Sequence, residues 1–116
     1  QAKAYYYLAM ALSQRDALAQ ALDQLRQARL MAESLPELWL DISALRASIH
    51  LRQNDPQAAL ETLDEALRRP DANQRADLLE AYGDALSLKG QKREAVEYWK
   101  KASKIQPSPQ LERKLN

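Results

Sequence analysis

The chain has 116 residues, 46% of them apolar and 28% charged, a contrast that suits one domain or one short repeat array with a core and a wet surface. It has no cysteine, which excludes disulfides and thiol-based metal or nucleophile chemistry. A net charge of +1 gives no bulk electrostatic case for nucleic acid, and no apolar run approaches the length of a membrane span.

Alanine and leucine dominate, Phe is absent, and only two Gly and five Pro occur, which is a helix-former's composition. Apolar residues three and four apart mark helices near 2–13, 17–33, 37–52, 56–69, 73–89, 92–105 and 109–115. The punctuation agrees. Asp55 stands before Pro56 as an N-cap acceptor, and Gly90 sits where the fifth helix should end in a left-handed residue. Ser34 with Glu37, and Asp71 with Gln74, have capping-box spacing. Ser108-Pro109 opens a seventh helix with Leu111 and Leu115 on one face, either a lid over the last hairpin or the start of another repeat. The opening Gln-Ala-Lys, with no initiator Met, reads as part of a longer protein.

The first six helices share one frame. Tyr5-x-x-Leu8-Ala9-x-x-Leu12 is followed by Ala21-x-x-x-Leu25-x-x-Ala28. Ile42-x-x-Leu45-Arg46-x-x-Ile49 is followed by Ala59-x-x-x-Leu63-x-x-Ala66. Leu79-x-x-Tyr82-Gly83-x-x-Leu86 is followed by Ala95-x-x-x-Trp99-x-x-Ala102 and Pro107. Leu8, Leu45 and Tyr82 lie 37 residues apart, and Ala21, Ala59 and Ala95 lie 38 and 36 apart. Each pair predicts a hairpin, with small residues where its first (A) helix crosses its second (B) helix, and neighbouring hairpins must stack to bury their stripes. The second frame departs from the others. Arg46 stands at the small-residue position and an extra residue enters the Asn54-Asp55-Pro56 turn, so Ala47 or Ser48 is expected to take over the crossing.

This frame resembles the tetratricopeptide repeat family over roughly residues 2–107, with the third unit matching best. The resemblance implies an all-α, right-handed solenoid of three hairpins, about 2–35, 37–72 and 73–107, with a capping helix at about 109–115. It also implies a non-catalytic protein–protein interaction scaffold that binds a peptide or helix in a concave groove lined by the A helices. The family's groove offsets fall on Lys3, Tyr6, Tyr7, Met10 and Gln14, then Leu40, Ser43, Ala44, Ala47 and His50, then Asp77, Glu80, Ala81, Asp84 and Ser87. The expected ligand carries apolar or aromatic anchors at one end and Lys or Arg at the acidic end. Tyr7 has a rival reading, packing against a preceding repeat. The Lys/Asn/Lys/Arg clamp by which some members grip acidic chaperone tails has no counterpart at these positions. The run Tyr82-Gly83-Asp84-Ala85-Leu86 with Glu97-Tyr98-Trp99 is similar to the final repeats of bacterial multi-repeat proteins, including envelope lipoproteins. An alternative function is a docking or regulatory appendage of a larger enzyme.

No catalytic constellation is present. His50 is the single histidine, with no second imidazole or thiol for a metal set and no motif partner, so neither a catalytic residue nor a cofactor is expected. Charge is segregated. Residues 55–88 carry 3 basic and 8 acidic groups, and residues 89–116 carry 8 and 3. The basic C-terminal stretch lacks the interleaved aromatics of a nucleic-acid surface and reads as solvated outer helix, with neither nucleic acid nor membrane insertion expected. Self-association through exposed repeat ends is a further expectation.

Overall fold

A computed structural model describes all 116 residues. The chain forms seven helices: α1 (Ala2–Gln14), α2 (Leu18–Met31), α3 (Pro36–Arg52), α4 (Pro56–Leu67), α5 (Ala76–Leu88), α6 (Lys92–Ile105) and α7 (Pro109–Leu115), with a 3-10 turn at Ala72–Gln74. They pack as adjacent antiparallel pairs, α1 on α2, α3 on α4 and α5 on α6, in a helical-repeat solenoid. The A helices α1, α3 and α5 lie side by side, and α4 packs against α5 as α2 does against α3. None is long and apolar enough to cross a membrane.

The three turns inside the hairpins have one construction. Each places its middle residue in the left-handed region: Asp16 (φ 64), Asn54 (φ 58) and Gly90 (φ 83). The next residue then reaches back five positions: Ala17 N–H donates to Leu12 O at 2.8 Å, Asp55 to His50 O at 2.9 Å and Gln91 to Leu86 O at 2.9 Å. This is the Schellman closure, which satisfies a helix-end carbonyl and needs Gly, Asn or Asp at its centre. Sequence reading found only Gly90 of the three.

That common closure corrects the register of the second hairpin. The Asn54-Asp55 turn has the same length as the other two, so it holds no extra residue, and the frame of α3 lies one residue later than the 37-residue spacing suggests. Counted back from the turns, the equivalent crossing residues are Ala9, Ala47 and Gly83, not Ala9, Arg46 and Gly83. Ala47 is fully buried, as are Ala9, Ala21, Ala59 and Ala95, and Gly83 is buried too, so the helices of each hairpin meet through small side chains. Leu25, Leu63 and Trp99 fill the space beside them. Arg46 moves instead to the place held by Leu8 and Tyr82, on the side of its A helix that turns toward the preceding hairpin.

The caps divide. Asp55 Oδ1 accepts from Ala58 N–H at 3.1 Å, and Ser108 Oγ accepts from Leu111 N–H at 3.1 Å. Neither expected capping box forms. Helix α3 is entered from Leu35 and α5 from Arg75, both without a side-chain cap. At the first site Pro36 has already removed one of the N–H groups a cap would satisfy. At the second, Asp71 is left-handed and starts the 3-10 turn, so its side chain caps nothing and the helix begins later than its sequence spacing suggests.

Polar ties join successive hairpins. Arg52 Nη1 donates to Ser13 O and Oγ at 2.9 and 2.8 Å, while its Nη2 pairs with Asp16 at 2.8 Å, so the end of α3 holds the first hairpin's turn. Arg29 pairs with Glu65, and Arg69 with Glu33 at 3.4 Å. Trp39, almost fully buried, lies beneath the Arg69 guanidinium, 3.6 Å from the ring centroid, with Arg29 at 5.2 Å.

Candidate interaction surface

The row of A helices exposes one face of α1, α3 and α5. Measured from the common turns, Lys3, Tyr6, Tyr7, Met10 and Gln14 of α1 correspond to Asp41, Ala44, Leu45, Ser48 and Arg52 of α3. In α5 they correspond to Asp77, Glu80, Ala81, Asp84 and Leu88. The five α1 positions share this register with Asp77, Glu80, Ala81 and Asp84 of α5 and with Ala44 of α3, whereas Leu40, Ser43, Ala47 and Ser87 lie one residue before it and His50 two. Leu40, Ser43 and Ala47 are buried, and Ser43 Oγ is turned back onto Trp39 O at 3.1 Å. His50 lines a cleft against α2 instead. A frame displaced by one residue turns a helix position by about 100°, enough to exchange a groove position for a core one.

At the α1 end the rings of Tyr6 and Tyr7 pack at 5.7 Å with planes 54° apart. Tyr7 is 60% exposed, while Tyr6 leans onto the core. Burial, reinforced by the Asp41 carboxylate, raises the Tyr6 pKa above the ordinary phenol range, so it stays a neutral donor. Met10 is half-buried beside them, and Lys3 and Gln14 are exposed. Lys3 also borders a shallow depression of about 280 Å³ with Leu35, Pro36, Glu37 and Leu38. Tyrosine and methionine together supply contact area at low rotamer cost, a polar tip and an adaptable thioether.

The acidic end differs from expectation because its carboxylates already have cations. Arg75 Nε and Nη2 reach the two oxygens of Asp77 at 3.0 and 2.8 Å, and Nη2 also reaches Asp41 at 2.9 Å. The hydrogen bond to Asp77 is the main reason this guanidinium holds its proton above the usual range. Lys114 of α7 reaches Glu80 at 2.5 Å and Asp84 at 2.9 Å, and Asp84 also accepts from Trp99 Nε1 at 3.0 Å. Burial opposes the Lys114 charge, but these hydrogen bonds outweigh it and its pKa is raised. An incoming Lys or Arg would have to displace internal partners. Asp41, Arg75 and Lys114 escaped the sequence reading because their meaning lies in partners 2 to 35 positions away, beyond any local pattern.

His50, at the place of Leu12 and Leu86, has a buried Nδ1 with no hydrogen-bond partner, and burial followed by the nearby Arg46 charge lowers its pKa. No three His, Asp or Glu side chains converge to hold a metal ion.

The small-residue crossings, the repeated turns and the shared open face define a helical-repeat protein. Residues 76–109 match the family model described as Tetratricopeptide repeat. The match lies on the third hairpin, and the two upstream hairpins share its turn and crossing geometry, which supports the tetratricopeptide repeat family for the chain. No curated protein matches it.

Proposed function

We propose that this chain is a protein–protein interaction module that receives a partner segment across the open face of α1, α3 and α5. Tetratricopeptide repeats are in general protein-binding modules, so the class of function follows from the family; the surface and its chemistry are inferred from the side chains. One observation carries the choice of anchor: Tyr7, 60% exposed, packs at a tilt beside Tyr6 on that face. At the α5 end each carboxylate of that face already has a cation beside it, Arg75 or Lys114, which offsets two of the three α5 negative charges. The partner is therefore held chiefly by apolar and aromatic side chains at the α1 end, with polar contacts along Ser48 and Gln14.

Affinity capture tests this. The wild-type chain and a Tyr7→Ala/Met10→Ala variant are used as baits, with Tm recorded for both. Tyr6 is left in place because it packs on the core. The variant should lose the captured partner by tenfold or more at near-unchanged Tm, the size of effect an exposed aromatic anchor gives on truncation. Equal capture by both baits would refute the assignment.

A further inference from the structure

A second surface lies on the other side of α3. A cleft of about 530 Å³ opens between α2 and α3, lined by Leu22, Leu25, Arg26, Arg29, Leu30, Glu33, Arg46 and His50. It is a consequence of the register of α3. The A-helix positions that meet the preceding hairpin are Ile42, Arg46 and Ile49 in α3 and Leu78, Tyr82 and Ala85 in α5. In α5 the middle position is a ring whose hydroxyl donates to Asp64 of α4 at 2.7 Å. In α3 it is a guanidinium, with an imidazole one turn further on where the other A helices carry leucine. Two polar side chains therefore replace apolar ones at the seam between the first two hairpins, and the seam is open there.

The charges around the cleft are unevenly matched. Arg29 is held by Glu65, Arg26 by Asp23 at 3.2 Å, and Glu33 by Arg69. Arg46 is half-buried and makes no ion pair or side-chain hydrogen bond, although a guanidinium has five N–H donors. Burial, followed by the charge of Arg29, lowers its pKa from the ordinary value against an opposing pull from Glu65. The imidazole of His50 beside it has the unpartnered nitrogen described above, while Leu22, Leu25 and Leu30 furnish an apolar wall, Leu30 being 72% exposed. An unpaired, partly desolvated guanidinium beside an apolar wall is complementary to an anion that carries its own apolar body, and a carboxylate matches the guanidinium fork. The volume is in the range of small-molecule sites.

We propose that the α2–α3 cleft is a binding site for a small amphipathic carboxylate. The carboxylate is received by Arg46, the cleft arginine with no anionic partner, and the hydrocarbon body lies along Leu22, Leu25 and Leu30. The site is separate from the A-helix face, so a ligand here leaves the protein-docking surface free.

The test uses decanoate below its micelle concentration, with decanol, decyltrimethylammonium and inorganic phosphate as controls. Affinity is measured by calorimetry, and the site is located from the chemical shifts of the leucine methyls and the His50 ring. Decanoate should bind and shift the Leu22, Leu25, Leu30 and His50 signals, while decanol, the cation and phosphate bind at least tenfold more weakly. Arg46→Met keeps the side-chain length, removes the unmatched charge and should fold with an unchanged or higher Tm. It should weaken decanoate at least tenfold while leaving any decanol binding unaltered. Decanoate and decanol binding equally, phosphate alone binding, no binding of decanoate, or undiminished decanoate binding by Arg46→Met would each overturn the proposal. Should Arg46→Met not fold, Arg46→Lys is the second variant. It keeps a charge without the fork and should still bind decanoate more weakly than the wild type; an unchanged affinity would count against the guanidinium's role.

Discussion

At Gly83 a single missing methyl sets the distance between two helices. A Cβ there would lie 2.5 Å from Trp99 Nε1, 2.6 Å from its Cδ1 and 3.0 Å from Ala95 O. The indole cannot simply swing aside, because it donates to Asp84 and Asp84 is in turn held by Lys114. Gly83→Ala should therefore cost about 1–3 kcal/mol, as over-packing of a tight core does, measured by urea denaturation. A loss within error would mean that α5 and α6 are not locked as described. Tyr82 shows a different sensitivity at the same scale. Burial, together with its hydrogen bond to Asp64, pushes its pKa above the ordinary phenol value of 10.0. Because the folded value exceeds the unfolded one, the unfolded chain loses this proton first as pH rises. The stabilisation is complete below about pH 10 and is withdrawn above it. Urea midpoints measured from about pH 8 to pH 11 should fall more steeply for the wild type than for Tyr82→Phe. Parallel curves would show that the phenol and Asp64 are not coupled.

Among the elements, α7 is the smallest and the most dependent on its neighbours. Seven residues cannot sustain a helix alone. Its hold comes from the Ser108 cap, from Leu111, which is 1% exposed, and from Lys114 on Glu80 and Asp84. Leu111→Ala should destabilise by about 2–5 kcal/mol and loosen α7, read as faster amide exchange at residues 111–115. Unchanged exchange would assign the helix's order to the ion pairs instead. Most elements were legible in the sequence, since period and punctuation placed each helix to within a few residues. The misread part was the phase of α3. A 37-residue spacing from Leu8 to Leu45 to Tyr82 looked like perfect register, yet the true repeat between turns is 38 and then 36. Asp16 and Asn54 are the residues that would have revealed it, because they hold the same left-handed place as Gly90 without being glycine. With that phase wrong, Ser43, Ala47 and His50 were assigned to a groove they do not line.

Across the whole molecule, three hairpins built alike carry different chemistry on two sides. On the open A-helix face the arrangement runs from exposed tyrosine on α1 to carboxylates on α5 that are already satisfied. Nothing in a one-dimensional pattern says that Lys114 will fold back on Glu80, since the pairing spans 34 residues. The same stacking leaves Leu8 on α1 47% exposed, at the place where Tyr82 meets the preceding hairpin through Asp64. In an array of this kind stability is shared between neighbouring units, so changes at the seam between hairpins act on both partners. Arg52→Ala, which releases Ser13 and Asp16, should destabilise by about 1–3 kcal/mol, the range for hydrogen bonds involving a charged group and for the polar atoms it leaves. The first-hairpin amides should exchange faster than those of α6, whereas uniform exchange throughout would contradict independent seams.

The most direct measurement compares three baits for one captured partner: the wild type, Tyr7→Ala/Met10→Ala on the A-helix face, and Lys100→Glu/Lys101→Glu on the outer side of α6. Recognition through the A helices predicts that the first variant loses the partner tenfold or more while the second retains it, with all three melting alike. Retention by the tyrosine variant and loss by the lysine variant would contradict it.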